Sequence, residues 1–178
     1  PAKLTAPATL ILFKISFKED TSENLVKHLD QAKIDFAIFA FPYELPDFIE
    51  SFQVFADPIY FIQHKNRKSK VIDNGSLLML EQGHCLRSHI LQNNEISTKH
   101  ISNFSCTSIS TLVAMVDTNI GVSFLPRMAI DFGILSHYPN INIDLESTKA
   151  KRDIGVIYRK NNPQEENIKK LAALLNTD

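Results

Sequence analysis

A short segment around Cys85 combines the residue types that can make a cysteine reactive. Cys85 follows Gly83 and His84, and Arg87 comes two positions later. The segment lies between an apolar run of strand length and a stretch typical of a helix start, so Cys85 is predicted at a strand-to-helix turn. A helix N-terminus and neighbouring basic groups favour the thiolate, the reactive form of cysteine. The alternative is that Cys85 is a small buried apolar residue, the more common fate of a lone cysteine.

The composition is typical of a globular chain and excludes several classes of protein. The 178 residues are 44% apolar and 22% charged, with a formal net charge of −1, so there is no basic excess that points to nucleic acid. Apolar runs are far shorter than the ~20 residues that a membrane-spanning helix needs, so we expect no membrane partner. The first residues lack a signal-peptide pattern, and two cysteines do not make a disulfide framework. We therefore predict a cytoplasmic, reducing location.

The order of the predicted elements indicates the fold class. Strands and helices alternate along the chain, which is typical of an α/β fold with parallel sheets. Strands predicted over 9–16 and 35–41 flank a helix that starts at Asp20, in the arrangement of a βαβ unit with parallel strands. Further predicted strands cover 76–80, 104–107, 122–125, 141–145 and 153–159, and short extended segments at 52–55 and 59–62 flank Asp57 and Pro58. Further helices are predicted after Cys85, over 109–117 with Ser108 as its cap, over 127–133 and after Asn162.

Two linkers predict a division of the chain into two lobes. The linkers lie near 43–58 and 146–152. We expect residues 1–57 together with 154–178 to form one lobe, and residues 58–153 to form the other. Ligands in such folds bind at the carboxyl ends of strands, beside helix N-termini. The Cys85 turn is therefore expected at the cleft between the lobes.

Other candidate chemistry is weaker. His84, Cys85 and His89 are close in sequence but do not complete a zinc pattern, so no metal site is predicted. No phosphate-binding loop, nucleophile elbow or paired-cysteine motif is present, and no cofactor is predicted. The basic stretch at 64–70 is more typical of a solvated loop than of a phosphate-binding patch. Ser108 is predicted to cap a helix, although a helix start of this kind can also bind an anion.

The segment from Leu77 to Arg87 closely resembles the sensing segment of OxyR, the hydrogen-peroxide-responsive group of LysR-type transcriptional activators. Its specific part is Gly83-His84-Cys85-Leu86-Arg87. Further matches to LysR-type regulators follow in the right order and cover nearly the whole chain. They are the segments at 29–35, with Ala32 where glycine is usual, and at 107–116, 120–126 and 152–159.

The resemblance implies a regulatory domain of two Rossmann-like lobes, similar to periplasmic binding proteins. The family's N-terminal helix-turn-helix domain, which binds promoter DNA, has no counterpart in this sequence, and neither have the first strand and most of the first helix of the first lobe. The resemblance further implies a homodimer or homotetramer that acts with RNA polymerase. It implies a sensor of hydrogen peroxide or of a small-molecule effector, and not an enzyme.

The family's functional residues correspond to particular positions of this chain. Cys85 stands where the peroxide-reacting cysteine lies, with His84 beside it. Arg152 matches the arginine that stabilises the thiolate and the leaving hydroxide, and a guanidinium suits that role because it is permanently charged. Ser22, or Thr21 one residue earlier, stands where a hydroxyl residue contacts the peroxide pocket. Further candidate ligand contacts are Gly83, Thr107 and Ser108.

One departure from the family leaves the switch open. The family's second cysteine lies nine residues after the first, but here no cysteine lies between 86 and 105. Cys106 is the candidate redox partner, although a buried small side chain is expected there. Cys85 then signals as a sulfenic acid or mixed disulfide, or bridges to Cys106 after local unfolding, or has lost peroxide sensing in favour of another effector. A thiol peroxidase is the least favoured alternative, because nothing in the sequence supplies a resolving thiol.

Overall fold

The computed structural model describes residues 14–68, 70–82, 84–93, 96–145 and 150–175. Within these ranges the chain forms an α/β fold with seven strands, five α-helices and a short 3-10 helix at Thr98–His100. The strands are β1 (Phe36–Phe41), β2 (Ile49–His64), β3 (Leu77–Leu80), β4 (Ile101–Cys106), β5 (Ser123–Pro126), β6 (Ile141–Asp144) and β7 (Lys151–Arg159). The α-helices are α1 (Ser22–Asp30), α2 (Cys85–Asn93), α3 (Ile109–Asp117), α4 (Arg127–Asp131) and α5 (Glu165–Ala173).

Strand β2 joins the two parts of the molecule. Its first half pairs with β7, which in turn pairs with β1, and its second half pairs with β5 and β6. The prediction of two short segments around Asp57 and Pro58 is therefore wrong, since they belong to one strand of 16 residues. Pro58 is tolerated inside it because it is the last residue of the ladder with β7, directly before Ile59, where the ladder with β5 begins.

Most strand pairs are antiparallel, so the prediction of parallel sheets is wrong for most of the described strands. The pairings of β1 with β7 and of β2 with β5, β6 and β7 are all antiparallel, because β2 and β7 run in opposite directions between the two parts. Strands β3 and β4 are parallel, and a parallel bridge joins Leu77 to Val122. Most of the strand predicted over 9–16 lies outside the described residues, and residues 14–16 carry no regular secondary structure.

The apolar side chains form separate cores on the two sides of the molecule. The larger core packs α2 and α3 against β3 and the second half of β2. Two smaller cores pack α1 and α5 against the sheet of β1, β7 and the first half of β2. The predicted α/β fold with two lobes is confirmed, and the lobe boundaries given above stay a prediction. In the described part of the chain, no helix has the length and apolar character needed to cross a bilayer.

Gly155 lies where three strands approach closely, and substitution there tests this packing. It lies opposite Phe39 and Gln53, and a Cβ atom at this position would lie 2.5 Å from the carbonyl oxygen of Phe52. We expect Gly155→Ala to lower the free energy of unfolding by about 2 kcal/mol, because backbone must move to admit the methyl group. Urea denaturation measures the loss. Ser51→Ala, at an exposed strand position, is the control, and a Gly155→Ala loss below about 0.5 kcal/mol would contradict the packing argument.

Candidate functional site

Cys85 begins helix α2, directly after the turn that follows strand β3, as the sequence predicts. The turn is held by its own backbone, because the His84 N–H donates to Glu81 O (3.4 Å) and the Arg87 N–H donates to His84 O (3.1 Å). The guanidinium of Arg87 also donates from Nη1 to Leu80 O at 3.1 Å. Arg87 therefore links the first turn of α2 to the end of β3. This contact fixes the position of the Cys85 thiol relative to the strand.

A small pocket of about 190 Å³ lies in front of the thiol. Its walls come from the first turn of α1, the end of β1 and the pocket-facing side of α2. Three of the site candidates named from the sequence, Cys85, His84 and Ser22, line this pocket, and a further candidate, Gly83, lies outside the described residues. The remaining lining residues are Glu23, Pro42, Tyr43, Ser88 and His89. These candidates therefore lie at a concavity whose lining combines a half-buried thiol with the hydroxyl groups of Ser22, Ser88 and Tyr43.

The two hydroxyl candidates at the start of α1, Thr21 and Ser22, have different surroundings. Thr21 is the N-cap, and its Oγ1 accepts a hydrogen bond from the Asn24 N–H at 3.4 Å, so this hydroxyl serves the helix. The helix predicted to start at Asp20 begins at Ser22, and the Asp20 carboxylate accepts hydrogen bonds from the Thr21 N–H and the Asn24 side chain. Ser22, the next residue, lines the pocket.

Three other candidates lie away from the pocket lining. Ser108 caps α3, since its Oγ accepts a hydrogen bond from the Thr111 N–H at 3.2 Å, and Thr107 beside it is exposed. Their proposed ligand contacts stay predictions. Cys106 is buried with its Sγ 3.5 Å from Met115 Sδ, which confirms the expected small buried side chain. Burial, reinforced by the negative charge of Glu81, raises the pKa of the Cys106 thiol and disfavours its thiolate.

Arg152 is engaged with a buried carboxylate. Its Nε and Nη2 each lie 2.9 Å from Asp57 Oδ2, and Asp57 is only 1% exposed. The other carboxylate oxygen of Asp57 accepts a hydrogen bond from the Met128 N–H at 3.0 Å, at the start of α4. Arg152 is not among the residues that line the pocket, and its positive charge acts on His89, which does line it. The guanidinium therefore contacts Asp57 outside the pocket lining, and its part in the chemistry stays a prediction.

His89 is the pocket residue that the sequence analysis weighed only as a metal ligand. It lies four positions after Cys85, which puts both side chains on one face of α2. The ring is 1% exposed, and its Nε2 lies 3.3 Å from the carbonyl oxygen of Pro42, across the pocket. Burial lowers the pKa of His89, and the positive charge of Arg152 lowers it further, against the opposing effect of the Pro42 carbonyl. The i, i+4 spacing from Cys85 was the available signal for this residue.

The lowered pKa of His89 makes the stability of the protein depend on pH. An unfolded chain binds a proton at this histidine near pH ~6.5, whereas the folded protein holds its pKa lower, so the unfolded state gains protons first. The contribution of His89 to stability is therefore present above about pH 6.5 and is lost as the pH falls below it. Urea denaturation between about pH 7.5 and about pH 5 should show a shallower pH dependence for His89→Gln than for the wild type. Parallel curves would contradict the prediction.

Two residues of the basic stretch, Arg67 and Lys70, take part in ion pairs on the surface. Arg67 Nη1 lies 3.6 Å from Asp73 Oδ2, and Arg67 Nε donates to Asn119 Oδ1 at 3.2 Å. Lys70 Nζ lies 2.7 Å from the carboxylate of the largely buried Asp144. These contacts favour the structural interpretation of the stretch over a phosphate-binding one.

Comparisons with known proteins agree with this fold. The model of the LysR substrate binding domain family matches residues 13–178. The HTH-type transcriptional regulator EstR of Acinetobacter baylyi is 27% identical over 158 residues, 84% of this chain and 52% of that protein. The transcriptional dual regulator OxyR of Escherichia coli is 29% identical over 168 residues, 86% of this chain and 53% of that protein. The chain thus spans about half the length of the curated relatives it matches.

The solved structures add a match at the level of the fold. A sulfate-bound OxyR2 regulatory domain variant from Vibrio vulnificus superposes with a TM-score of 0.83 at 32% identity, covering 89% of this chain and 79% of that one. The reduced form of the same regulatory domain gives the same TM-score at 31% identity. The chain therefore belongs to the LysR substrate-binding domain family and has the fold of an OxyR regulatory domain.

Proposed function

We propose that this chain is the regulatory domain of a LysR-type transcriptional regulator that responds to hydrogen peroxide by oxidation of Cys85. The observation that carries the proposal is the pocket in which the thiol, Ser22 and His84 meet. Hydrogen peroxide is small and needs hydrogen-bond donors and acceptors on both oxygens, which hydroxyl and imidazole groups supply. Relatives named hydrogen peroxide-inducible genes activator support this assignment.

The chemistry of the proposed reaction uses groups already described. The Cys85 thiolate attacks one oxygen of the peroxide, the O–O bond breaks, and hydroxide leaves. The hydroxide takes up from the solvent the proton that the thiol released when it ionised, which gives water. Cys85 becomes a sulfenic acid, two electrons more oxidised, and the peroxide is reduced to water. Ser22 and His84 orient the peroxide. Arg152, held by Asp57, contributes a positive charge that favours the thiolate and the departing hydroxide.

The proposed oxidised state is a single-cysteine one. Cys106 lies in the larger apolar core with a raised pKa, so it is poorly suited to attack the sulfenic acid of Cys85. A bridge between Cys85 and Cys106 would require local unfolding of that core. We therefore propose that Cys85 signals as a sulfenic acid or as a mixed disulfide with a small thiol, and that this change alters the packing of the 85–106 segment.

The remaining expectations belong to the whole regulator. We propose that the lobes are divided as 1–57 with 154–178 and 58–153, near the contact of Arg152 with Asp57. Oxidation then rotates the subunits of a homodimer or homotetramer. The regulator acts in the cytoplasm on promoter DNA and RNA polymerase, through a helix-turn-helix domain outside this sequence. It is a regulator and not an enzyme, as the class of its named relatives suggests.

A second candidate is a LysR-type domain that binds a small-molecule effector and in which Cys85 is inactive. Two observations favour it. No cysteine lies between 86 and 105, and the pocket carries a carboxylate, Glu23, together with the phenol of Tyr43, which are not needed to hold a peroxide. Such a ligand would raise the thermal stability of the protein equally with and without a reductant.

Mass spectrometry separates these functions. The reduced protein is treated with a few equivalents of hydrogen peroxide, and its intact mass and peptides are compared before and after. One added oxygen on Cys85, trapped by a sulfenate reagent, supports the single-cysteine sensor. Loss of two hydrogens with Cys85 linked to Cys106 supports a disulfide switch. No change at peroxide levels that oxidise a known sensor domain favours the small-molecule effector.

A further inference from the structure

We infer that His89 is a positioning residue, which fixes the Cys85 turn of α2 to Pro42 at the end of β1 and so holds the thiol in its pocket. The inference rests on the proposed function and deepens it, because it names what sets the geometry of the reacting cysteine. It assigns to His89 no contact with peroxide. The imidazole acts through its hydrogen bond across the pocket.

The two faces of α2 make different contacts. Leu86 and Ile90 are buried in the larger core, on the side of β3. Cys85 and His89, separated by one helical turn, lie on the pocket side, facing the segment that contains Pro42. The hydrogen bond from His89 Nε2 to Pro42 O joins residues 47 positions apart in sequence, so it connects elements that no local contact links. The pocket keeps its shape only if α2 and the segment that contains Pro42 keep their relative positions.

The electrostatic surroundings indicate that His89 acts by position and not by charge. A carbonyl oxygen can only accept, so Nε2 must carry the proton in the bond to Pro42. The ring is buried, and Arg152, paired with Asp57, faces it with a positive charge that opposes protonation. A neutral amide of similar length should therefore be able to donate the same hydrogen bond to the Pro42 carbonyl oxygen. An apolar side chain of similar size should not.

The test compares His89→Gln, which keeps a neutral donor, with His89→Leu, which removes it. Histidine ¹⁵N NMR of the wild type should show the Nε2–H tautomer at His89. Amide exchange over 85–93, which does not depend on peroxide, should be about tenfold faster in His89→Leu than in the wild type. Oxidation of Cys85 by peroxide should be about tenfold slower. In His89→Gln both rates should stay within about threefold of wild type. His137→Leu, at an exposed histidine outside the pocket lining, controls for loss of an imidazole.

The outcomes are distinct. The inference is supported if His89→Gln keeps the wild-type rates of Cys85 oxidation and amide exchange while its melting temperature equals that of His89→Leu. A residue with a merely structural role would change the rates and the melting temperature together. The inference is overturned by an Nδ1–H tautomer, by wild-type rates in His89→Leu, or by a glutamine variant as defective as the leucine variant. If His89→Leu does not fold, the tautomer and the glutamine variant decide alone. If wild-type Cys85 resists peroxide, the proposed function fails, and amide exchange still decides the role of His89.

Discussion

Cys85→Ser is expected to abolish the response to hydrogen peroxide and to leave the fold intact. Serine has nearly the shape of cysteine, and the half-buried site makes small demands on the side chain, so the melting temperature should change little. A serine hydroxyl is not a nucleophile toward peroxide under conditions in which a thiolate is, so no sulfenic acid can form. We expect at least a hundredfold loss in the rate of oxygen addition, on the order of the change that removal of a nucleophile produces.

The matched control is Cys106→Ser. Cys106 lies in the apolar core with its thiol protonated, so its replacement should leave peroxide oxidation at Cys85 unchanged, at some cost in stability. Intact mass after peroxide treatment measures both variants, and a promoter reporter carrying the full-length regulator measures the response. A normal reporter response in Cys85→Ser would rule out the sensor role. Equal loss of response in Cys106→Ser, with the fold preserved, would point to a disulfide switch instead.

Asp57→Ala should be among the most destabilising single substitutions in this protein. The carboxylate is 1% exposed and pairs with Arg152, whose side chain is 13% exposed. Removing one partner of a buried ion pair leaves the other charge uncompensated, which costs about 3–5 kcal/mol. The N–H of Met128 also loses its acceptor at the start of α4. We therefore expect the urea midpoint to fall sharply, together with a loss of pocket geometry because Arg152 is released toward His89.

Two variants show which part of the Asp57 contact matters. Asp57→Asn keeps an acceptor for the Met128 N–H and removes the charge, so it should lose less stability than alanine. Arg127→Ala breaks the exposed pair between Arg127 and Asp131, at 3.1 Å, and should cost at most about 0.5 kcal/mol. In a double-mutant cycle, Asp57→Ala combined with Arg152→Ala should destabilise less than the sum of the single changes. If Asp57→Ala lowers the free energy of unfolding no more than Arg127→Ala does, the pair of Asp57 and Arg152 does not stabilise the fold.

The sequence identified those parts of the site that depend on neighbouring residues. The turn before Cys85 follows from an apolar run of strand length ending at a glycine-containing segment, and the cap of α3 follows from Ser108 before an apolar helix face. Ser22 came from the resemblance, and the pocket brings it to Cys85 as expected. The α/β class and the two lobes also follow from the pattern. Local signals and a family motif were enough for these features.

The features that sequence reasoning missed depend on residues far apart in the chain. The pairing of β1 with β7 joins the two ends of the described chain, and apolar runs do not reveal whether a partner is parallel. Asp57 and Pro58 resemble a break between segments, because the partner strands that keep β2 continuous are not visible locally. The contact of Arg152 with Asp57 spans 95 positions, and that of His89 with Pro42 spans 47. The two members of each pair lie too far apart for a short sequence motif to contain both.

The pairing of β1 with β7 also sets an order of events during synthesis. On the ribosome, the segment of β3, α2 and β4 that carries Cys85 emerges well before β7, which is the strand partner of β1 in the described part of the chain. Pro42 and Tyr43 follow β1, so this wall of the pocket lacks its strand partner until β7 has left the exit tunnel. A nascent chain therefore completes its thiol turn before it completes the pocket. If Cys85 is the proposed peroxide sensor, we expect it to lack its pocket during that interval and to depend on the reducing power of its surroundings.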